Sequence, residues 1–220
     1  MTRKGGKGWW ADHEYDRRSV AFTLPSWPGW NDFMEMLTNP AAPYLTDSEK
    51  YACVLFETGC RETEAIKLKP DQFKWNDKVI VISNVTVLKK KRKFVRDVVI
   101  KLDERNPLGQ DLIEYVEACE TDYLLPGFGR GFRSGGEREV HHDRHVSPKT
   151  VYNRITELSP KLWPHALRGY RASMLVYERD FSIQDFMGWF EWQSADSAAH
   201  YTKTRDVAKS MGIKKKDMPK

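Results

Sequence analysis

A chain of 220 residues is long enough to bury one full core, and 40% hydrophobic with 30% charged residues is the balance of an ordinary globular protein. No apolar run is long enough for a transmembrane helix, and the charged start MTRKGGKGWWADHEYDRRS lacks the apolar segment of a secretory signal, so the expected location is the host cell cytoplasm or nucleoid. The net charge of +5 points to an acidic partner.

Three cysteines, Cys53, Cys60 and Cys119, are odd in number and lack CxxC spacing, which argues against a disulfide framework and a zinc site and for small core residues. The positive charge is clustered. Lys89, Lys90, Lys91, Arg92, Lys93 and Arg96 form one group, Arg130, Arg133, Arg138 and Arg144 a second, and Lys214, Lys215 and Lys216 a third. Three such clusters on one domain fit a nucleic-acid surface better than a membrane anchor, with Lys89, Lys90, Arg92, Lys93, Arg130 and Arg133 as candidate DNA contacts.

Taken in order, residues 1–25 read as an arm, with Gly5, Gly6 and Gly8 among charges. NDFMEMLTN is expected to form a short helix ending near Pro40. Thr46 and Glu49 make a capping box for DSEKYACVLFET, whose Tyr51, Ala52, Leu55 and Phe56 recur at helical spacing and mark a core helix. Gly59 stops it, and TGCRETEAIKL opens another helix with Arg61 in its first turn and Glu64 placed to hold the Arg61 side chain.

After Pro70 and Asp71, DKVIVISNVTV and FVRDVVIKL read as two strands joined by LKKKRK, a hairpin with a cationic tip. GQDLIEYVEACE reads as a helix and DYLLP as an extended segment. The glycine- and charge-rich stretch 127–145, GFGRGFRSGGEREVHHDRH, is expected to be a long loop. Its His141, His142, Asp143 and His145 have the composition of a metal cluster, but adjacent loop residues seldom converge on one ion, so backbone contact with DNA is preferred and no metal is expected. Ser147 and Pro148 open the helix PKTVYNRITEL, and Pro164 introduces HALRGYRASMLVYE, with Leu167, Tyr170 and Met174 toward the core. Ser182 and Ser194 cap two further helices, SIQDFMGWFEW and SADSAAHYTK, and a basic tail follows.

His165 and Arg168 stand three residues apart at the start of a helix, a spacing that lets both address one anionic group, and Tyr201 follows on a later helix. No P-loop is present, so chemistry driven by ATP is not expected.

TGCRETEAIKL around Arg61, the lysine hairpin, the H-x-x-R of PHALRGYRAS and the terminal AHYTK resemble, in order and spacing, the catalytic domain of the tyrosine recombinases (phage-integrase family), most closely archaeal and archaeal-virus members. The resemblance covers about residues 43–204. It implies a mainly helical α+β fold with a small antiparallel sheet or hairpin at one edge, divided as arm 1–25, catalytic domain 26–204 and basic tail 205–220. Arg61 and Arg168 would grip the scissile phosphate, His165 would lie beside it, Tyr201 would be the nucleophile and Glu64 the supporting acid. The family's lysine lies five residues before the arginine that opens RDVVI, and 96 − 5 = 91 selects Lys91, with Lys89 and Lys90 as rivals. A His or Trp nine residues before the tyrosine completes the set, and 201 − 9 = 192 selects Trp192 over Trp189, which the phrase IQDFMGW would favour.

The function implied is site-specific cleavage and rejoining of duplex DNA through a 3′-phosphotyrosyl bond, with no cofactor. The implied partners are a DNA target site and further copies of the chain, a tetramer on DNA and a monomer in solution. A type IB topoisomerase shares the chemistry, and a non-catalytic DNA-binding regulator could share the fold. About 45 residues precede the matching region, fewer than the helical clamp domain usually found there, so a minimal recombinase, a fragment and a remnant of integration all stay open.

Overall fold

In the computed structural model the described residues are 46–89, 92–103, 108–132, 138–192, 194–196, 198, 199, 201 and 202. Its first helix, α1 (Asp47–Thr58), is the centre of the core. Thr46 accepts a hydrogen bond from the Glu49 N–H while Glu49 accepts one from the Thr46 N–H, so two N–H groups of the first turn are satisfied by each other's residues. Every residue from Tyr51 to Cys60 is buried. Such a helix needs cover on all sides, and α3 (Gly109–Glu117), α4 (Pro148–Leu158) and α5 (Pro164–Arg179) pack around it.

Gly59 ends α1 in the left-handed region, at φ 57°, with its N–H donating to Phe56 O. The next helix, α2 (Glu62–Ala65), has only four residues and Arg61 is its N-cap, one position outside the first turn where the sequence pattern had placed it. A 3-10 turn (Pro70–Gln72) leads into β1 (Phe73–Trp75), a three-residue strand too short to leave an alternation in the sequence.

β2 (Val79–Lys89) and β3 (Arg92–Lys101) form the expected hairpin, but the ladder runs to Lys89↔Arg92, so most of LKKKRK is strand and not tip. The antiparallel order is β1-β2-β3. Phe73, Ile82 and Val98 lie across from one another, as do Ile80 and Ile100, and all five face the core. The register shifts between Ile82 and Val85, where Asn84 has φ 57° and donates from its N–H to Asp97. Beyond that bulge Val85 pairs with Arg96, whose side chain points inward and is buried. Counting Arg96 with the basic nucleic-acid surface is therefore corrected: period-2 alternation with Val98 and Ile100 sends it to the core face.

The stretch expected as a loop is a second two-stranded sheet, β4 (Pro126–Phe132) with β5 (Arg138–His145). Its glycines, which suggested a loop, sit where β5 comes close: a Cβ on Gly127 would lie 3.2 Å from His145 O. α6 (Ile183–Phe190) packs on β3 and is capped by Ser182 and Asp185. Ala195, Asp196, Ala198, Ala199, Tyr201 and Thr202 are helical, and Ser194 accepts from the Asp196 N–H. The expected arm, the NDFMEMLTN helix and the basic tail fall outside the described residues. No helix among the described residues is long and apolar enough to cross a membrane.

Candidate active site

The site is assembled where the α1–α2 turn meets α5 and α6. Arg168 lies one turn into α5, whose Leu167, Tyr170 and Met174 anchor it in the core, so its side chain is carried inward and is only 3% exposed. One guanidinium nitrogen, Nη1, donates to Gly59 O and lies 3.8 Å from Glu64 Oε2. The other, Nη2, is buried and has no hydrogen-bond partner among the described residues. Arg168 also sits over the Phe190 ring, 4.5 Å from its centroid, and 5.8 Å from that of Trp192.

Glu64 joins this guanidinium to a second. It accepts from the Arg61 N–H at 3.0 Å and from Arg61 Nη1 at 2.8 Å. Arg61 is half-buried while Glu64 is fully buried, so one carboxylate between two cations holds two like charges in a dry place. Burial, reinforced by the charges of Arg61 and Arg96 and opposed by Glu64, brings the Arg168 guanidinium down to about 10. It stays charged at neutral pH. The result is a buried, charged donor with an unspent N–H pair, which is what binding of an oxyanion requires.

An aromatic stack closes the other side. Glu191 ends α6 in the left-handed conformation, at φ 51°, and the chain reversal brings Trp192 N–H to Met187 O. Trp192 thereby leaves the helix face and stacks on Phe190 at 4.7 Å and Phe186 at 5.5 Å. The Tyr201 ring lies parallel to Trp192, 5.7 Å away, and to Phe186, 5.8 Å away. Burial pushes the Tyr201 phenol above its ordinary range, with Arg168 pulling it back.

The two tryptophans are in different surroundings. Trp189 is buried, donates its indole N–H to Val99 O at 3.2 Å, and packs against Arg96, Arg171 and Phe190. Trp192 is the one that borders Arg168 and Tyr201.

The pattern of the phage integrase family matches residues 31–207. The chain belongs to the phage integrase family. The fold agrees with that membership. XerH site-specific recombinase, in a post-cleavage complex with a palindromic difH substrate, is similar with a TM-score of 0.55 at 16% identity, over 87% of this chain and 54% of that one. The Tn1549 transposon integrase with transposon right end DNA is similar at 0.54 and 11%, over 92% and 69%. XerA recombinase is similar at 0.52 and 17%, over 87% and 66%. The chain thus spans about half to two thirds of the length of these recombinases, and at such identities the likeness is one of fold. No curated protein matches.

Within this integrase-family domain, Arg61, Glu64, Arg168, Trp192 and Tyr201 are linked contact by contact. His165 is exposed in the first turn of α5, three residues before Arg168. Lys90, Lys91 and Arg133 lie outside the described residues, while Lys89 ends β2, Arg92 and Lys93 open β3, and Arg130 is in β4. His141, His142, Asp143 and His145 are all on β5, where His142 meets Glu120 O and His145 meets Val146 O.

Three buried charges were missed. Arg96 donates to Trp189 O, to Thr58 O at 3.2 Å and to Cys60 Sγ at 3.7 Å. Arg171 pairs with Glu57 at 3.2 Å, and neither is exposed by more than 1%. The signal for Arg171 was helical spacing, since it stands three residues before Met174 and four after Leu167 on the buried side.

Proposed function

We propose that this chain is the catalytic part of a site-specific DNA recombinase that cleaves and rejoins duplex DNA through a 3′-phosphotyrosyl intermediate. The observation that carries the reading is the buried Arg168 guanidinium, tied to Arg61 through Glu64, with a free Nη2 on the side where Trp192 and Tyr201 stack.

In this reading Arg61 and Arg168 hold the nonbridging oxygens of the scissile phosphate, and their fixed donors stabilise the charge that develops as phosphorus is attacked. Loss of one such donor costs about 3–4 kcal/mol of transition-state stabilisation. The Tyr201 oxygen forms the new bond to phosphorus, the bond to the 5′ oxygen breaks, and the phenol proton passes to His165. Lys91, preferred over Lys89 and Lys90, delivers a proton to the departing 5′ oxygen. Trp192, preferred over Trp189, donates its indole N–H to the phosphate. Raising of the phenol by burial means that the incoming phosphate must reorganise the site before Tyr201 ionises. The energy of the cleaved bond is kept in the phosphotyrosine, so religation needs no ATP, and the guanidiniums supply the positive charge.

DNA would lie along the basic residues Lys89, Lys90, Arg92, Lys93, Arg130 and Arg133, with four copies of the chain on the recombining sites. The division into arm 1–25, domain 26–204 and tail 205–220, the archaeal or archaeal-virus affinity, and action in a host's cytoplasm or nucleoid belong to the same proposal.

The test is a nicked suicide duplex carrying the target site. Wild-type protein is expected to give a denaturant-resistant protein–DNA adduct and Tyr201→Phe none. Equal adduct from the two proteins would sink the reading. Joining of two separate duplexes, as against relaxation of supercoils alone, distinguishes a recombinase from a topoisomerase.

A further inference from the structure

The geometry points to Arg96 as a positioning residue for the anion site, acting through the α1–α2 turn that carries Arg61. The inference rests on the recombinase reading and concerns a residue that would not touch DNA.

The turn from Thr58 to Arg61 has little regular structure to hold it. α1 ends at Thr58, Gly59 is left-handed, and α2 begins only at Glu62. Its carbonyls are instead taken by buried arginines. Arg96 Nη2 donates to Thr58 O and lies 3.7 Å from Cys60 Sγ, while Arg168 Nη1 donates to Gly59 O. One residue earlier, Arg171 pairs with the Glu57 carboxylate. Three consecutive residues, Glu57, Thr58 and Gly59, are therefore each held by a different guanidinium.

Arg96 adds a third tie. Its Nη1 donates to Trp189 O, and its guanidinium lies over the Trp189 and Phe190 rings at 5.0 and 5.8 Å. These are the rings that fill the space beside Gly59. Arg96 thus fastens the turn bearing Arg61 to the end of α6, from which the chain continues to Trp192. Both of its terminal nitrogens are spent on protein acceptors, in contrast to Arg168, whose Nη2 is not. The Nε of Arg96 has no hydrogen-bond partner among the described residues. A planar fork can satisfy two carbonyls in divergent directions from one rigid plane, and a lysine ammonium on a flexible stem does not reproduce that.

Cys60 reports on the turn. It is fully buried next to Arg96, with its thiol raised by burial, whereas Cys119 is half-buried and serves as an internal reference. The experiment uses the full chain, with Arg96→Lys compared with wild type and with Leu112→Ala, a core substitution in α3 that lowers stability away from the turn. Adduct formation is timed on the nicked duplex at saturating DNA well below the melting temperature, the affinity for the intact duplex is measured in parallel, and Cys60 and Cys119 are alkylated with iodoacetamide.

Displacement of a reacting geometry by about 1 Å slows a reaction up to about 100-fold. The expected result for Arg96→Lys is adduct formation slowed about 10- to 100-fold with duplex affinity unchanged, and Cys60 alkylated faster relative to Cys119. Leu112→Ala should leave the saturated rate and the Cys60 protection near wild type. Should Arg96→Lys lose its cooperative unfolding transition, Arg96→Gln carries the same comparison. A folded Arg96 variant that cleaves at the wild-type rate with Cys60 still protected overturns the inference while leaving the recombinase reading intact, as does an equal loss in Leu112→Ala. Absence of adduct from the wild type itself would instead overturn the recombinase reading.

Discussion

Replacing Gly59 with alanine tests the packing of the turn. The residue has φ 57°, where an L side chain costs about 1–2 kcal/mol. A Cβ there would lie 2.6 Å from Trp189 Cζ3, 2.9 Å from Phe190 Cε1 and 3.0 Å from Trp189 Cη2, so at least one ring must move. Neither is free to do so cheaply: Trp189 is held by its hydrogen bond to Val99 O and by Arg96 on its own carbonyl, and Phe190 carries the Arg168 guanidinium. Forcing such a shift in a packed core costs about 1–3 kcal/mol. The sum is about 2–5 kcal/mol, and at about 2–4 °C per kcal/mol for a chain of this size the melting temperature should fall by about 4–20 °C. Circular dichroism melting of Gly59→Ala is the assay, with Gly188→Ala beside it. Gly188 lies in α6 with nothing within 4 Å of an added Cβ, so alanine there should stabilise by about 0.5–1 kcal/mol. A Gly59→Ala melt within about 2 °C of wild type would refute the reasoning.

Removing one member of the buried Glu57–Arg171 pair should cost about 3–5 kcal/mol, because the other charge is left without its partner, whereas Glu57→Leu with Arg171→Met should recover most of that in a urea titration. A double variant no more stable than Glu57→Ala would contradict the account of the pair. The Tyr201 phenol is raised in the folded chain, so the folded state keeps its proton at pH values where the unfolded chain has begun to lose it. Stability from this group is whole below pH about 10 and drains as pH rises through the folded value. Tyr201→Phe should therefore flatten the alkaline limb of the stability curve, and an unchanged slope counts against a buried phenol. Duplex affinity should fall with log salt with a slope of about −0.9 per phosphate contacted, and a flat response would remove the DNA reading.

Where a boundary is set by a local interaction, it was legible in the residues. Thr46 with Glu49, Ser147 with Pro148, and Pro164 placed the starts of α1, α4 and α5, because caps are satisfied within a few residues of themselves. What depends on distant partners was not. Arg96 was counted with the lysines around it, since a charge tally treats every cation as solvated, although its alternation with Val98 and Ile100 pointed inward. The β4–β5 ribbon was taken for a loop because glycine marks both loops and close strand approaches, and only the partner strand decides between them.

The site shows the same division. The spacing of Arg61 and Glu64 follows from a single helix start, and their contact was expected. The choice between Trp189 and Trp192 hangs on the left-handed turn at Glu191, a conformation that a glutamate does not advertise. It is this turn that leaves one indole bonded to Val99 and brings the other against Tyr201.

The central claim is that Tyr201 becomes covalently attached to DNA. It is tested most directly by trapping the adduct on a nicked duplex, digesting the DNA to a short remnant, and mapping the modified peptide by mass spectrometry. The account predicts a nucleotide remnant on the peptide containing Tyr201, attached through a 3′ phosphate, and none on any peptide of Tyr201→Phe. A remnant on another residue, or an adduct that survives loss of the Tyr201 hydroxyl, would contradict it.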